Sequence, residues 1–345
     1  MYLFMYISLL FLVTRENNLK EKIDINKKIF PIVIIILGLI AGFRYYVGTD
    51  YGTYIELFNG INSIKDYSYV EFGFRVLILF IKMFTSSSVA LFVLMSVLSM
   101  LFLYYGIKKL TDKTILSIFI FYGIFYIGYI FNAVRQGFAM CVFLYSIQYF
   151  EERNIVKILI CTVIATLIHS SGIYIPIAYI AYNITLKDKY YIYILICGLI
   201  LLLFNPLQKI LVNINILGIG EKVTTYMSIN PNDKLGIVSI LQRLILMSLM
   251  LISLRIMKVK DKKIFNIYVL GWIAYTVFSF QGIIATRINM FFRILEIILF
   301  PNIIENITNE KNKKYMYLFI ILWISVILIV DLRNPANFPY KIVRI

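Results

Sequence analysis

Charge is scarce in this chain. Asp, Glu, Lys and Arg make up 15% of its 345 residues, against about a quarter in soluble domains, while 61% are hydrophobic and the mean hydropathy is +0.85. A soluble globular chain is excluded, because most of these residues must face lipid or other apolar helices. Acid is scarcer still: 18 Asp and Glu stand against 34 Lys and Arg, for a net charge of +16. In a soluble protein that balance would suggest nucleic acid. Here the basic residues fall in short runs between apolar stretches, as the positive-inside rule requires, so the charge is read as topology and no nucleic-acid partner is expected. Histidine occurs once, and the three cysteines, Cys141, Cys161 and Cys197, each sit in an apolar run without a CxxC or a His–Cys spacing. No metal site is expected from them, and the cysteines read as inert buried residues. No small-residue cleavage site follows the apolar first thirteen residues, and Arg15 behind them reverses the charge order of a cleavable signal peptide; this segment is expected to stay as the first span.

What the chain has is apolar runs near the length that crosses a bilayer, roughly 20 residues with a lower limit near 17. They cover residues 1–14, 29–43, 88–106, 114–131, 137–150, 155–168, 171–186, 190–204, 237–257, 264–282, 288–304 and 315–331. With the run from Arg15 to Lys28 in the cytoplasm, alternation puts Lys108 and Lys109, Arg153 and Lys157, Lys187 and Lys189, Lys258 to Lys263, and Lys311 to Lys314 on that same side. The agreement holds only if residues 71–84 do not cross. The expectation is an all-α polytopic transmembrane helical bundle of about 12 spans, with a re-entrant or surface helix near 71–84. It forms a single integral membrane domain over 1–345, with outer-face loops at 44–70 and 205–236. Spans between 137 and 186 are short, which is tolerated where a helix is buried in protein or borders a cavity.

Charged residues in or beside spans are costly and usually face a cavity or a partner. The candidates are Arg135, His169, Arg243, Arg287, Arg293 and Glu296. Arg135, between Asn132 and Gln136 at the start of an apolar helix, reads either as an interfacial arginine reaching headgroups or as an anion clamp aided by a helix N-terminus. His169, followed by Ser170, Ser171 and Gly172, reads as a structural hydrogen-bonding residue, a base or a donor to phosphate. Arg293 and Glu296, three residues apart, read as a helical salt bridge, which leaves Arg287 as the better substrate contact. Arg44, Asp50, Tyr51, Tyr54 and Glu56 interleave rings with charges on the outer side, as a sugar-binding surface needs; an aromatic belt would look similar. Glu71 and Arg75 are spaced as a helical ion pair or as two more site residues.

In order along the chain, R-Y-Y-V-G-T-D-Y-G-T-Y at 44–54, E-F-G-F at 71–74, N-A-V-R-Q-G-F-A at 132–139, I-H-S-S-G at 168–172 and the Arg287 segment resemble the EpsG family of bacterial exopolysaccharide proteins, related to the Wzy-type polysaccharide polymerases. The resemblance implies a GT-C-like multispanning glycosyltransferase of the bacterial plasma membrane that joins oligosaccharide repeat units carried on undecaprenyl pyrophosphate, at the outer face, in exopolysaccharide, capsule or O-antigen synthesis. Its partners would be that lipid-linked oligosaccharide, membrane lipid and a chain-length regulator, with no metal or cofactor, since lipid pyrophosphate is the leaving group. On this reading Arg135, Arg287 and Arg44 hold the pyrophosphate, His169, Asp50 and Glu71 are the catalytic candidates, and Tyr54, Tyr51, Gln136 and Asn132 bind glycan. A lipid-linked glycan transporter or flippase, or another outer-face enzyme such as a ligase or acyltransferase, would want many of the same groups.

Overall fold

A computed structural model describes residues 1–16, 25–205, 228 and 233–343. The outer loop expected over 205–236 therefore lies, apart from 205, 228 and 233–236, outside the described residues, as do residues 17–24 of the first basic run. The described chain is all-α, with fifteen α-helices, and its one β contact among the described residues is an isolated bridge between Arg44 and Ile342. The sequence suggests one membrane domain; packing divides the chain into two compact units, Met1–Ile177 with Glu296–Ile345, and Ala178–Leu295.

The first unit contains α1 (Tyr2–Glu16), α2 (Phe30–Gly42), α3 (Tyr51–Gly60), α4 (Phe72–Lys82), α5 (Val89–Leu110), α6 (Thr114–Phe121), α7 (Val134–Glu151), α8 (Ile155–Ile168), α14 (Glu296–Asn306) and α15 (Glu310–Leu332). Between α6 and α7 the chain continues as a π-helix over Tyr122–Asn132. Every residue of α6 is buried, which accounts for an apolar run with no helical stripe: this segment has neighbours on all sides. Its N-terminus is closed by Glu16, whose carboxylate accepts from the N–H groups of Ile115 at 2.7 Å and Leu116 at 3.0 Å. A carboxylate there satisfies orphan donors and complements the helix dipole. Around this axis, α5 packs on α2 and α7, and α7 packs on α8.

The second unit contains the C-terminal part of α9 (Tyr174–Asn183), then α10 (Asp188–Leu203), α11 (Ile237–Ile252), α12 (Val259–Val277) and α13 (Gly282–Arg293). α12 is its centre, packed on α10, α11 and α13. The buried Asn266 accepts from the Tyr191 hydroxyl at 2.5 Å and donates to the Ile184 carbonyl at 2.6 Å. Asn205 donates to the carbonyls of Thr276 and Val277 at the end of α12.

Among the described residues, four segments are long and apolar enough to cross a bilayer: Val89–Leu110, Thr114–Asn132, Ile237–Arg255 and Glu310–Leu332. These long apolar helices point to a multi-pass membrane protein. Several other expected spans form shorter helices; the run at 171–186, for example, becomes a short 3-10 turn and the ten-residue α9. α4 has eleven residues and is about 16 Å long, half of a hydrocarbon core of roughly 30 Å. It buries Phe74, Ile78 and Ile81 and exposes Phe72, Val76 and Phe80, the two-sided pattern of a helix lying at an interface. Of the cysteines, Cys141 and Cys161 are buried and Cys197 is exposed on α10.

Candidate functional site

The loops at one end of the first unit carry most of the singled-out residues, and a buried arginine organises them. Arg44, just beyond α2, is fully buried. Its Nε donates to the Val47 carbonyl at 3.1 Å, one terminal nitrogen to Ala41, and the other to the Phe131 carbonyl at 2.9 Å. The rings of Phe92, Phe131 and Tyr51 lie 4.5, 5.1 and 5.6 Å from its Cζ. Burial lowers its pKa to about 10, with Tyr51 the first of the groups that oppose the shift, so it stays a cation at pH 7. Three backbone carbonyls from two chain segments use this guanidinium. The geometry therefore gives Arg44 a positioning role, unlike the pyrophosphate contact implied by the resemblance.

The C-terminal tail seals the same corner. Tyr45 N–H donates to the Lys341 carbonyl at 2.9 Å, Gly48 N–H to Ala336 at 2.7 Å and Val343 N–H to Phe43 at 2.9 Å. Asn132 accepts from Thr49 N–H at 2.6 Å and donates to the Asn337 side chain at 3.4 Å. Thr49 in turn donates its hydroxyl to Asp50 at 2.9 Å. Tyr51 is buried, stacked on Phe92 with centroids 4.4 Å apart and planes 7° from parallel, and Gln136 is buried as well. These two expected glycan contacts are packed inside the fold, whereas Asn132 and Asp50 are half-buried.

Beside that corner, three separated segments meet at one ion pair. Glu71 precedes α4 in extended conformation and makes no capping bond to its own helix. Its carboxylate reaches outward: one oxygen pairs with Arg135 and the other accepts from Ser170 N–H at 3.0 Å. Both members of the pair are partly exposed, 24% for Arg135 and 20% for Glu71. Arg135 lies with Cζ 5.3 Å from the Phe74 ring, its Nε is buried with no hydrogen-bond partner among the described residues, and its backbone N–H donates to the Tyr54 hydroxyl at 3.4 Å. Burial raises the Tyr54 pKa, with Arg135 the main opposing influence, so Tyr54 is a neutral hydroxyl at pH 7.

Close backbone contacts bring these groups together. At Gly73 a Cβ would stand 2.7 Å from the Leu167 carbonyl oxygen, and at Gly137 it would stand 1.9 Å from that of Tyr129. Any side chain there would push α4 off the end of α8, or α7 off the π-helix, and separate Glu71 from its partners. The π-helix serves the same end, since it delivers Asn132 and then Arg135 to this corner; π segments recur at functional sites.

His169 ends α8 in extended conformation. Its Nδ1 accepts from Ser171 N–H at 3.2 Å and lies 2.7 Å from the Ser171 hydroxyl. With Nδ1 accepting, the neutral ring carries its proton on Nε2. The ring is thereby set to donate from Nε2, which weakens the case for His169 as a base.

Arg75, read either as a helical ion-pair partner of Glu71 or as a further site residue, donates to the Ile64 carbonyl. Glu71 pairs with a residue 64 positions away, which helical spacing does not signal. Nor does the sequence signal Glu16 as the cap of α6, or the Asn337 contact.

In the second unit, Arg287 is exposed on α13. Arg243 is buried, donates to Asn289 at 3.0 Å and to the Ser239 carbonyl at 3.0 Å, and stacks over Tyr275 at 4.7 Å. The helix expected to carry Arg293 and Glu296 on one face breaks between them, at Ile294 and Leu295; Arg293 donates to the Met290 sulfur at 3.1 Å. Among the described residues no group of His, Cys, Asp and Glu is placed to hold a metal ion.

The EpsG family model matches residues 27–342. The chain belongs to the EpsG family. All of the corner just described except Val343 falls inside the matched range, including Glu71, Arg135 and His169. EpsG proteins are membrane proteins implicated in exopolysaccharide biosynthesis. No curated protein and no solved structure matches the chain.

Proposed function

We propose that this EpsG protein is a glycan polymerase that transfers oligosaccharide repeat units between undecaprenyl pyrophosphate carriers at the outer face of the plasma membrane. In this arrangement about 12 segments cross or enter the bilayer and the basic loops face the cytoplasm. The observation that supports it most is the convergence of Glu71, Arg135 and the His169–Ser171 turn. A guanidinium, a carboxylate and an oriented imidazole are the groups that sugar transfer from a pyrophosphate calls for.

Arg135 takes the donor's phosphates. Its planar fork suits two phosphate oxygens, the start of α7 adds a favourable dipole, and a pyrophosphate competes for it with Glu71. The freed Glu71 carboxylate, still held by Ser170 N–H, receives the proton of the acceptor hydroxyl. The acceptor oxygen forms a bond to the anomeric carbon as that carbon's bond to the phosphate oxygen breaks, and undecaprenyl pyrophosphate leaves with the electron pair. Arg135 and the Nε2–H of His169 stabilise the charge that develops on the leaving group. Tyr54 and Phe74 hold Arg135 in place, and Arg44 braces the corner.

The test is polymer length on a gel at matched protein level. Arg135→Ala and Glu71→Gln are each expected to abolish long-chain product; normal polymer from both would end this reading. Arg287 remains the further cation implied by the family resemblance, and Arg287→Ala is read in the same assay.

A further inference from the structure

A second lipid-facing feature lies along the first unit, toward the end away from Arg44. The antiparallel helices α2 and α5 leave an open groove of about 270 Å³ between them. Its walls are apolar, with Ile35, Leu39, Val97 and Leu101 at the rim and Gly38 on the floor. The groove ends at Tyr104, whose ring stacks on Phe30 with centroids 5.2 Å apart. The Tyr104 hydroxyl accepts from Lys108 Nζ at 3.1 Å, and that ammonium sits 5.2 Å from the ring.

Lys108 has company at this mouth. Lys109 follows it, and both are exposed at the end of α5. Lys27 and Lys28, also exposed, lie in the π-helical turn Ile25–Ile29 that leads into α2. That turn is tied to the segment after α5 by Asn26, which donates to the Asp112 carbonyl at 3.0 Å and accepts from the Thr114 hydroxyl at 2.7 Å. The tie holds the start of α2, which follows Lys27 and Lys28, against the segment that follows Lys108 and Lys109. Of the acidic groups among the described residues of this region, Glu16 is committed to the N–H groups of Ile115 and Leu116 and Asp112 is exposed.

An apolar channel capped by clustered ammonium groups is complementary to one kind of membrane component: an acyl chain joined to an anionic headgroup. We propose that the α2–α5 groove is a binding site for an anionic phospholipid, with one acyl chain along Ile35, Leu39, Val97 and Leu101 and the phosphate among Lys27, Lys28, Lys108 and Lys109. The site is separate from the Glu71–Arg135 corner and does not depend on the reaction assigned there. Positive charge that only orients the chain needs no groove and no lysine tied to a tyrosine; here both are present.

The full chain in mild detergent, titrated with phosphatidylglycerol and phosphatidylcholine of identical acyl chains and read by native mass spectrometry, tests this. Phosphatidylglycerol is expected to be retained about tenfold more tightly. Replacing the four lysines by Gln is expected to remove the preference, and replacing them by Arg to keep it. Leu101→Trp, at an exposed rim position, is expected to weaken phosphatidylglycerol while the lysines are intact. Equal retention of the two lipids, a preference that survives the Gln changes, or unchanged binding in Leu101→Trp would overturn the proposal. So would a site that retains geranylgeranyl pyrophosphate and neither phospholipid.

Discussion

Replacing Glu71 by Gln separates a chemical role from a structural one, because Gln keeps most of the geometry and loses the charge. The carboxylate makes two contacts, to Arg135 and to Ser170 N–H. Exposed ion pairs contribute up to about 1 kcal/mol and breaking a buried one costs about 3–5 kcal/mol; with side chains 24% and 20% exposed, this pair lies between those limits. Gln has one carbonyl oxygen, which can keep the bond from Ser170 N–H while its amide NH2 replaces the oxygen that faced Arg135, so Glu71→Gln is expected to cost about 1–2 kcal/mol of stability. Glu71→Ala strands both donors and is expected to cost about 2–4 kcal/mol. The loss of activity is of another order. Removing a general base lowers the rate about 10²–10⁴-fold, so Glu71→Gln should make folded protein and no long-chain polymer. Thermal unfolding of the purified protein in detergent, beside polymer length in cells at matched expression, measures both quantities. Glu71→Arg combined with Arg135→Glu should recover part of the lost stability and none of the activity. Long-chain polymer from Glu71→Gln at normal protein level would refute the base assignment, and activity that only tracks stability across the series would make Glu71 a structural residue.

Arg44→Ala removes a guanidinium shared by three carbonyls and is expected to cost about 3–5 kcal/mol, seen as loss of detergent-stable protein; Arg44→Lys should not rescue it, since one ammonium lacks the fork that reaches Ala41, Val47 and Phe131. Gly137→Ala sets a methyl against the Tyr129 carbonyl and should lower both protein level and polymer length, while Gly52→Ala, with nothing within 4 Å, should change neither in the same blot. Glu16→Gln weakens the cap of α6 and should lower the unfolding temperature by an amount equivalent to about 1–2 kcal/mol without shortening the polymer. Glu71→Gln frees Arg135 from its competitor, so a prenyl pyrophosphate should bind this variant several-fold more tightly than the wild type in a filter or calorimetric assay, about tenfold for each 1.4 kcal/mol of pairing removed.

The helical class and the residues that meet around the Glu71–Arg135 pair were legible in the sequence, because both rest on local signals. Apolar runs mark membrane helices, and Arg135, Glu71 and His169 stood out as polar groups in apolar surroundings. Their mutual arrangement was not legible. Glu71 and Arg75 have the spacing of a helical pair, yet Glu71 sits before the first turn of α4 in extended conformation, so its side chain leaves the helix face that the spacing assumes. Arg44 reads as a cation near a sugar site, and only burial shows it bonded to three carbonyls. Tyr51 and Gln136 read as surface polar groups, and packing against α5 and within α7 hides them. Span boundaries suffered for another reason: an apolar run marks burial in lipid or in protein alike, and α6, wholly enclosed by protein, shows how far the two can overlap.

The exposure of the Glu71–Arg135 pair is what makes an exchange of partners feasible. An arginine beside the bilayer with no counter-charge is costly, and a carboxylate in the same place is no better, so each holds the other while the site is empty. An arriving pyrophosphate brings more negative charge than one carboxylate and a geometry that the guanidinium fork fits more closely. The exchange conserves the number of charge-assisted contacts on Arg135, and the Ser170 N–H bond keeps the displaced carboxylate from swinging away. A carboxylate parted from its cation is the better proton acceptor. On the proposed function, donor binding and base activation become one event: the acceptor hydroxyl would meet a competent base only when a lipid pyrophosphate is already in place.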